Sequence, residues 1–158
     1  MALVMRVFSF LLIVMLFVQC KSDAGKKSVD VKPNLTIPAL PEQELKNLVF
    51  NCTSVDYIFK ELPISISFGK EEGLETNIFF ASLEAPKYDA IKCKSIARKI
   101  YNIGTEIYLE AEVFFDGTCS HYDFYKNGKL VYRSQITQQG ISFYNNVIAQ
   151  AKQGPPSQ

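Results

Sequence analysis

Residues 105–134 read TEIYLEAEVFFDGTCSHYDFYKNGKLVYRS. Apolar and polar side chains alternate along this stretch, the period-two signal of half-buried strands. Asp116-Gly117 and Asn127-Gly128 interrupt the alternation, and both pairs suit tight hairpin turns with positive φ. Three antiparallel strands in a meander are expected. Just upstream, residues 92–102 (KCKSIARKIYN) alternate around Ile96 and Ile100. Gly104 allows a hairpin from there into the first of the three, which makes a four-stranded sheet.

The flanks read as helix. Pro41 suits a first helical turn, and the acidic Glu42 and Glu44 behind it favour a helix N-terminus. Leu45, Leu48, Val49, Cys52, Val55, Phe59 and Leu62 fall at helical spacing; Thr53-Ser54 can split the run in two, and Pro63 ends it. Residues 64–68 (ISISF) alternate and suit a short strand that Gly69 breaks. Residues 71–85 fit a helix through Leu74, Ile78, Phe79 and Leu83, although 77–83 also has strand-like content; the helix is preferred. At the C-terminus, Thr137 can cap a helix over 137–153 whose stripe is Ile141, Tyr144, Val147, Ile148 and Ala151, stopped by Gly154-Pro155-Pro156. The expected fold class is therefore α+β: a four-stranded antiparallel meander packed on one face by a C-terminal helix, with N-terminal helices. The chain has 158 residues, room for one such domain, expected over 41–153 with a disordered tail at 154–158.

The N-terminus carries an export signal. Arg6 precedes residues 7–18, an apolar run broken only by Ser9. The run is shorter than the roughly 18–20 residues of a spanning helix and matches the apolar region of a signal peptide, expected over 1–19. Two cleavage readings compete. In one, Cys20 becomes the lipidated first residue: Leu16-Phe17-Val18-Gln19-Cys20 resembles a bacterial lipobox, departing from it at Gln19 and Phe17. In the other, Ser22-Asp23-Ala24 is a small-x-small site, and cleavage after Ala24 discards Cys20. Both put the protein outside the cytoplasm, as does a eukaryotic secreted reading with sequons at Asn34 and Asn51. Residues 20–40 are polar, with Pro33 and Pro38 and no strand or helix period, and read as a flexible tether.

Continuing the two-residue turns through the meander gives a register. Phe115 then faces Thr118, Val113 faces Ser120, Ala111 faces Tyr122 and Leu109 faces Phe124. That face, with Ile96, Ile100, Ile107 and Val131, is expected to pack on the C-terminal helix. The opposite face is expected to present Tyr101, Tyr108, Tyr125 and Tyr132 among Lys99, Glu106, Glu110, Glu112, His121 and Asp123. In this register Glu110 faces Asp123, and Glu112 faces His121. Three uses of that face are open: a solvated surface rich in strand-favouring Tyr, a partner-binding surface, or a metal or acid/base site at Glu110, Glu112, His121 and Asp123. A register slip of one residue would dissolve the arrangement.

With Cys20 lipidated or removed, Cys52, Cys93 and Cys119 remain. Cys93 and Cys119 lie at one end of the sheet, and an exported protein permits their disulfide. The register places them on either side of Phe114, about 9–10 Å apart, beyond the roughly 7 Å that a disulfide tolerates. The bond then requires Cys93 to curl over the strand end or the Asp116-Gly117-Thr118 turn to bulge. Cys52 sits on an apolar stripe and reads as a small buried residue.

The net charge of +1 gives no electrostatic case for nucleic acid. No nucleophile elbow, phosphate loop, zinc spacing or metalloprotease helix is present, and no cofactor or metal is expected. Residues 57–65 (YIFKELPIS) and 124–129 (FYKNGK), behind the lipobox-like start, resemble small uncharacterised lipoproteins of Bacteroidota-like bacteria, a family that implies no particular activity. Residues 125–130 also resemble one unit of the hairpin repeats in MORN-type and antitoxin-like proteins; the unit occurs once, and a plain Asn-Gly hairpin accounts for it. The sequence thus points to a non-enzymatic, lipid-anchored envelope protein whose partners are a membrane and an unidentified envelope protein. The alternative is a small-ligand binder or enzyme using the polar sheet face.

Overall fold

The structure, a computed structural model, describes residues 37–88 and 93–153. The expected signal peptide over 1–19, Cys20 with its competing cleavage readings, most of the expected tether and the expected tail over 154–158 lie outside the described residues. The domain is α+β, as read, but its antiparallel sheet has six strands rather than four.

Helix α1 (Glu42–Asn51) starts behind Pro41, turns Leu45 and Leu48 inward and keeps Glu42 and Glu44 in its first turn. It then stops, and the expected second helix is strand β1 (Ser54–Phe59). Val55 and Phe59 fit helical spacing, but Val55, Tyr57 and Phe59 also alternate, and that is how they are buried. A β-branched and aromatic run gains more as a central strand than as a short helix. Strand β2 (Ser65–Gly69) follows as a hairpin partner. Residues 71–85 are mostly not helical: a 3₁₀ turn (Lys70–Glu72) leads to the single short helix α2 (Leu74–Ile78). Strands β3 (Ser95–Ile103), β4 (Glu106–Phe115), β5 (Ser120–Lys126) and β6 (Lys129–Gln135) form the meander, and α3 (Gln138–Gln153) closes the chain. The sheet order is β2-β1-β3-β4-β5-β6.

The core lies between the sheet and the helices. Tyr57, Tyr101, Leu109, Val113, Tyr122 and Phe124 point into it, against Leu48 of α1, Ile78 of α2 and Tyr144 of α3. Helix α3 comes unusually close at Gly140. A Cβ there would stand 2.7 Å from Ile136 Cγ2 and 3.0 Å from Phe80 Cβ, so the glycine that weakens the helix is what lets it seat.

The Asn127-Gly128 turn has the two residues and positive φ values, 53° and 74°, expected of a tight hairpin, with Lys126 paired to Lys129. The Asp116-Gly117 turn is longer than read. Asp116 Oδ1 accepts from the backbone N–H of Thr118 and of Cys119, which makes a four-residue loop. Phe115 therefore pairs with Ser120, and Val113 with Tyr122. The shift is two residues, so the side chains of β4 from Leu109 onward and those of β5 keep the expected face. Ile107, expected to pack on the C-terminal helix, precedes the irregularity at Tyr108 and is 59% exposed.

Strand β3 does not. Ile103 pairs with Glu106 and Asn102 with Ile107, but Tyr101 pairs with Leu109, so Tyr108 is an extra residue in β4. Such a bulge transfers every preceding residue of β3 to the other face. Ala97, Lys99 and Tyr101 enter the core, while Ile100 leaves the position expected for it; Ile96, at a second bulge, still packs against the core as expected. A third bulge, at Val131, pairs Tyr132 with Phe124 and turns it toward the core.

Strand β6 is an edge that the chain covers itself. Arg133 N–H donates to Pro38 O, Leu40 N–H to Ser134 Oγ, and Gln135 N–H to Glu84 O. The stretch read as the end of the tether is thus docked, with Leu40 buried. Sealing an edge this way removes a site for unwanted strand pairing.

Candidate functional site

The face of the sheet opposite the helices carries the candidate site. Glu110, Glu112, His121, Asp123 and Tyr125 share it, as expected from the period of β4 and β5. Tyr101 and Tyr132 do not: Tyr101 is fully buried in the core, and Tyr132 packs against it. Tyr108 is the bulge residue, and its hydroxyl accepts from Asn47 on α1 and from Lys126, at 2.8 and 2.9 Å. The cross-strand partners also change. Glu112 stands opposite Asp123, Glu110 opposite Tyr125, and His121 opposite Phe114.

Glu110, Glu112 and Tyr125 line a cleft of about 430 Å³ with Lys60, Arg98 and Phe114. Arg98 owes its place to the Tyr108 bulge, which sent Lys99 inward and its neighbour outward. Glu112 is the hub. Lys60 Nζ reaches its Oε2 at 2.6 Å, Ser95 Oγ donates to the same oxygen, and Arg98 Nε lies 3.4 Å from Oε1. Arg98 also approaches Glu110, at 3.7 Å. Burial alone would raise the Glu112 carboxyl, but the hydrogen bonds from Lys60 and Ser95 and the charges of Lys60 and Arg98 outweigh it and hold it below the usual carboxylate range. Burial, reinforced by Asp123 and Glu112, pushes the Tyr125 phenol up. Glu112, rather than the expected Glu110, is the carboxylate opposite Asp123, and each is neutralised from its own side, Asp123 by a bidentate Arg133.

His121 is fully buried beside the cleft rather than displayed in it. Its ring stacks on Phe114 at 4.5 Å with planes 2° apart. The Tyr88 hydroxyl accepts the Ser120 N–H at 2.6 Å and lies 2.9 Å from Nδ1 of the histidine. With the phenolic proton donated to Nδ1, the imidazole proton sits on Nε2, on the side of Asp123 Oδ1 3.6 Å away. Among the described residues, Nε2 has no hydrogen-bond partner. Burial lowers the imidazole pKa, with Asp123 opposing, so the ring is neutral near pH 7. Among the described residues, no three or more His, Cys, Asp or Glu side chains are grouped to hold a metal ion.

Lys99, expected on this face, is fully buried on the other. Its ammonium donates to the Asn77 carbonyl and lies 4.8–5.6 Å from the ring centres of Tyr57, Phe80, Tyr101 and Tyr122. Burial drives its pKa well below the ordinary lysine value.

Cys93 and Cys119 form a disulfide, with Cα atoms 5.9 Å apart. The distance that argued against the bond does not arise. Cys93 precedes β3, Cys119 belongs to the four-residue loop, and neither sits in a ladder. Cys52 is a buried free thiol, raised by burial.

Sequence reasoning missed Lys60, Arg98, Phe114, Tyr88 and Arg133. Arg98 was recoverable only with the Tyr108 bulge in hand. Tyr88 comes from an irregular segment with no periodic signal at all. Comparison with protein-family models, with curated proteins and with solved structures finds no match to this chain.

Proposed function

We propose that the protein is exported, held to a membrane through lipid on Cys20, and recognises another envelope protein with the outer face of its sheet. The observation that carries this reading is the makeup of the cleft. Tyr125 and Phe114 stand at the two ends of the cleft, and Glu112 lies between them with Lys60, Arg98 and Glu110 completing the charged lining. Tyr, Phe and Arg beside paired charges are residue types that protein interfaces favour. The charges are held by one another, so a partner meets a fixed pattern rather than mobile side chains. Export is supported by Cys20 directly behind an apolar run and by the Cys93–Cys119 bond, which persists in oxidising compartments.

The test is affinity capture from solubilised membranes with Tyr125→Ser and Arg98→Glu variants. Both are expected to lose the partner bound by the unaltered protein while unfolding at nearly the same denaturant concentration. Retention of the same partners by both variants contradicts the reading.

The volume of the cleft favours a second reading, a small polar ligand, since ligand sites commonly span roughly 300–1,000 Å³. A ligand that raises the melting temperature of the unaltered protein and not of Glu112→Gln would support it.

A further inference from the structure

Phe50 is 76% exposed although it sits in a helix that packs on the core. Helix α1 turns Leu45 and Leu48 inward and leaves Phe50 outside. Across a groove of about 360 Å³ stand Phe79 and Leu83, 43% and 46% exposed, and Val49 also lines it. The charges on the groove, Glu42 and Lys46, are paired to each other at 2.7 Å. Three large apolar side chains gathered beside a self-neutralised rim mark a surface that is covered in use.

The chain itself indicates what covers it. Sixteen residues separate Cys20 from Ile37. Residues 38–40 are fixed on β6, and at Pro41 the chain passes straight into α1, the helix that carries Phe50. A lipid anchor at Cys20 therefore leads to the groove's own helix, within a fully extended reach of about 60 Å. We propose that this groove is a membrane-docking face. Phe50, Phe79 and Leu83 enter the interfacial layer of the leaflet that holds the anchor, and Lys46 lies at the level of the lipid phosphates. The inference rests on the anchored reading above and deepens it. The helices lie on one face of the sheet and the cleft on the other, so docking by α1 leaves the Tyr125 cleft facing the aqueous side.

The protein contains no Trp, so a single substitution supplies a reporter. Full-length Phe50→Trp, Phe79→Trp and Ile58→Trp proteins are recovered from membranes and reconstituted in phosphatidylethanolamine–phosphatidylglycerol vesicles with brominated acyl chains. Ile58 is 49% exposed on the outer sheet face and serves as the control. Quenching severalfold stronger at positions 50 and 79 than at position 58 is the expected result. Equal quenching at all three overturns the docking face. Intact mass of the same samples separates this from the anchor. A lipidated mass with equal quenching refutes docking alone, and an unlipidated mass with selective quenching supports docking while refuting the anchor.

Discussion

Lys99 Nζ donates a hydrogen bond of 2.6 Å to the backbone carbonyl of Asn77 inside the hydrophobic core. Asn77 lies near the C-terminal end of α2, where unsatisfied carbonyls and the helix dipole favour a cation. Four aromatic rings surround the ammonium and offset part of the cost of removing it from water. The Asn77 side chain in turn accepts from the Tyr57 hydroxyl, so β1, β3 and α2 meet at one polar point.

This lysine gives stability a specific pH dependence. Its folded pKa lies below the unfolded value of about 10.4. Below the folded pKa both states carry the proton; between the two values only the unfolded chain does, so stability rises with pH; above about 10.4 the rise is complete. Tyr57, Tyr101, Tyr122 and Tyr144 are all raised by burial, so the unfolded tyrosines ionise first above about pH 10 and stability then falls. Urea unfolding across alkaline pH is expected to show a maximum. Lys99→Met is expected to remove the rising limb, which is worth up to about 1.4 kcal/mol per pH unit, and to leave the falling one. Matching profiles for the two proteins would contradict the account.

The bulge at Tyr108 decides which face of β3 is buried. Deleting Tyr108 would return Ile100 to the core side and push Tyr101 and Lys99 out. The deletion is expected to abolish cooperative unfolding, whereas Tyr108→Ala, which keeps the extra residue, costs only about 1–3 kcal/mol. Circular dichroism melts of the two variants decide it.

The Cys93–Cys119 bond closes a loop with a sequence separation of 26. Opening it by Cys119→Ser is expected to cost about 3 kcal/mol, read as a lower urea midpoint. With Cys20 lipidated or removed, as proposed, the chain unfolded without reductant has one alkylatable thiol, Cys52, and gains two more only after reduction. Three reactive thiols without reductant would show that the bond is absent.

The protein has one histidine, so its ring protons titrate without overlap. Burial lowers the His121 pKa. The unfolded state therefore binds the extra proton first, and this group contributes stability that is lost as pH falls below about 6.5. An NMR titration of the native protein is expected to have its midpoint below 6.5. A midpoint at or above 6.5 would mean that Asp123 outweighs burial.

The parts of the fold written in short-range pattern were readable. The Asn127-Gly128 hairpin, the alternation of β4 and β5 and the stripe of α3 follow from period and turn chemistry. What failed were choices settled by distant contacts. Val55 and Phe59 satisfy both helix and strand templates, and pairing with β2 and β3 settles them as a strand. No residue type announces the bulge at Tyr108, yet it moves Tyr101 and Lys99 from the expected surface into the core. The candidate site survived on β4 and β5 because the error at Asp116-Gly117 was two residues, an even number. The cations that complete the site, Lys60 and Arg98, come from outside those strands and carry no pattern of their own.

The central claim is that the outer cleft meets a protein partner in the envelope. Photocrosslinking in intact cells from a p-benzoylphenylalanine placed at Tyr125 tests it most directly, with the same group at Glu75, exposed on α2 away from the outer sheet face, as the control. The account predicts a discrete protein adduct from position 125 that is absent from position 75. No adduct at position 125, or the same set of adducts from both positions, would contradict it.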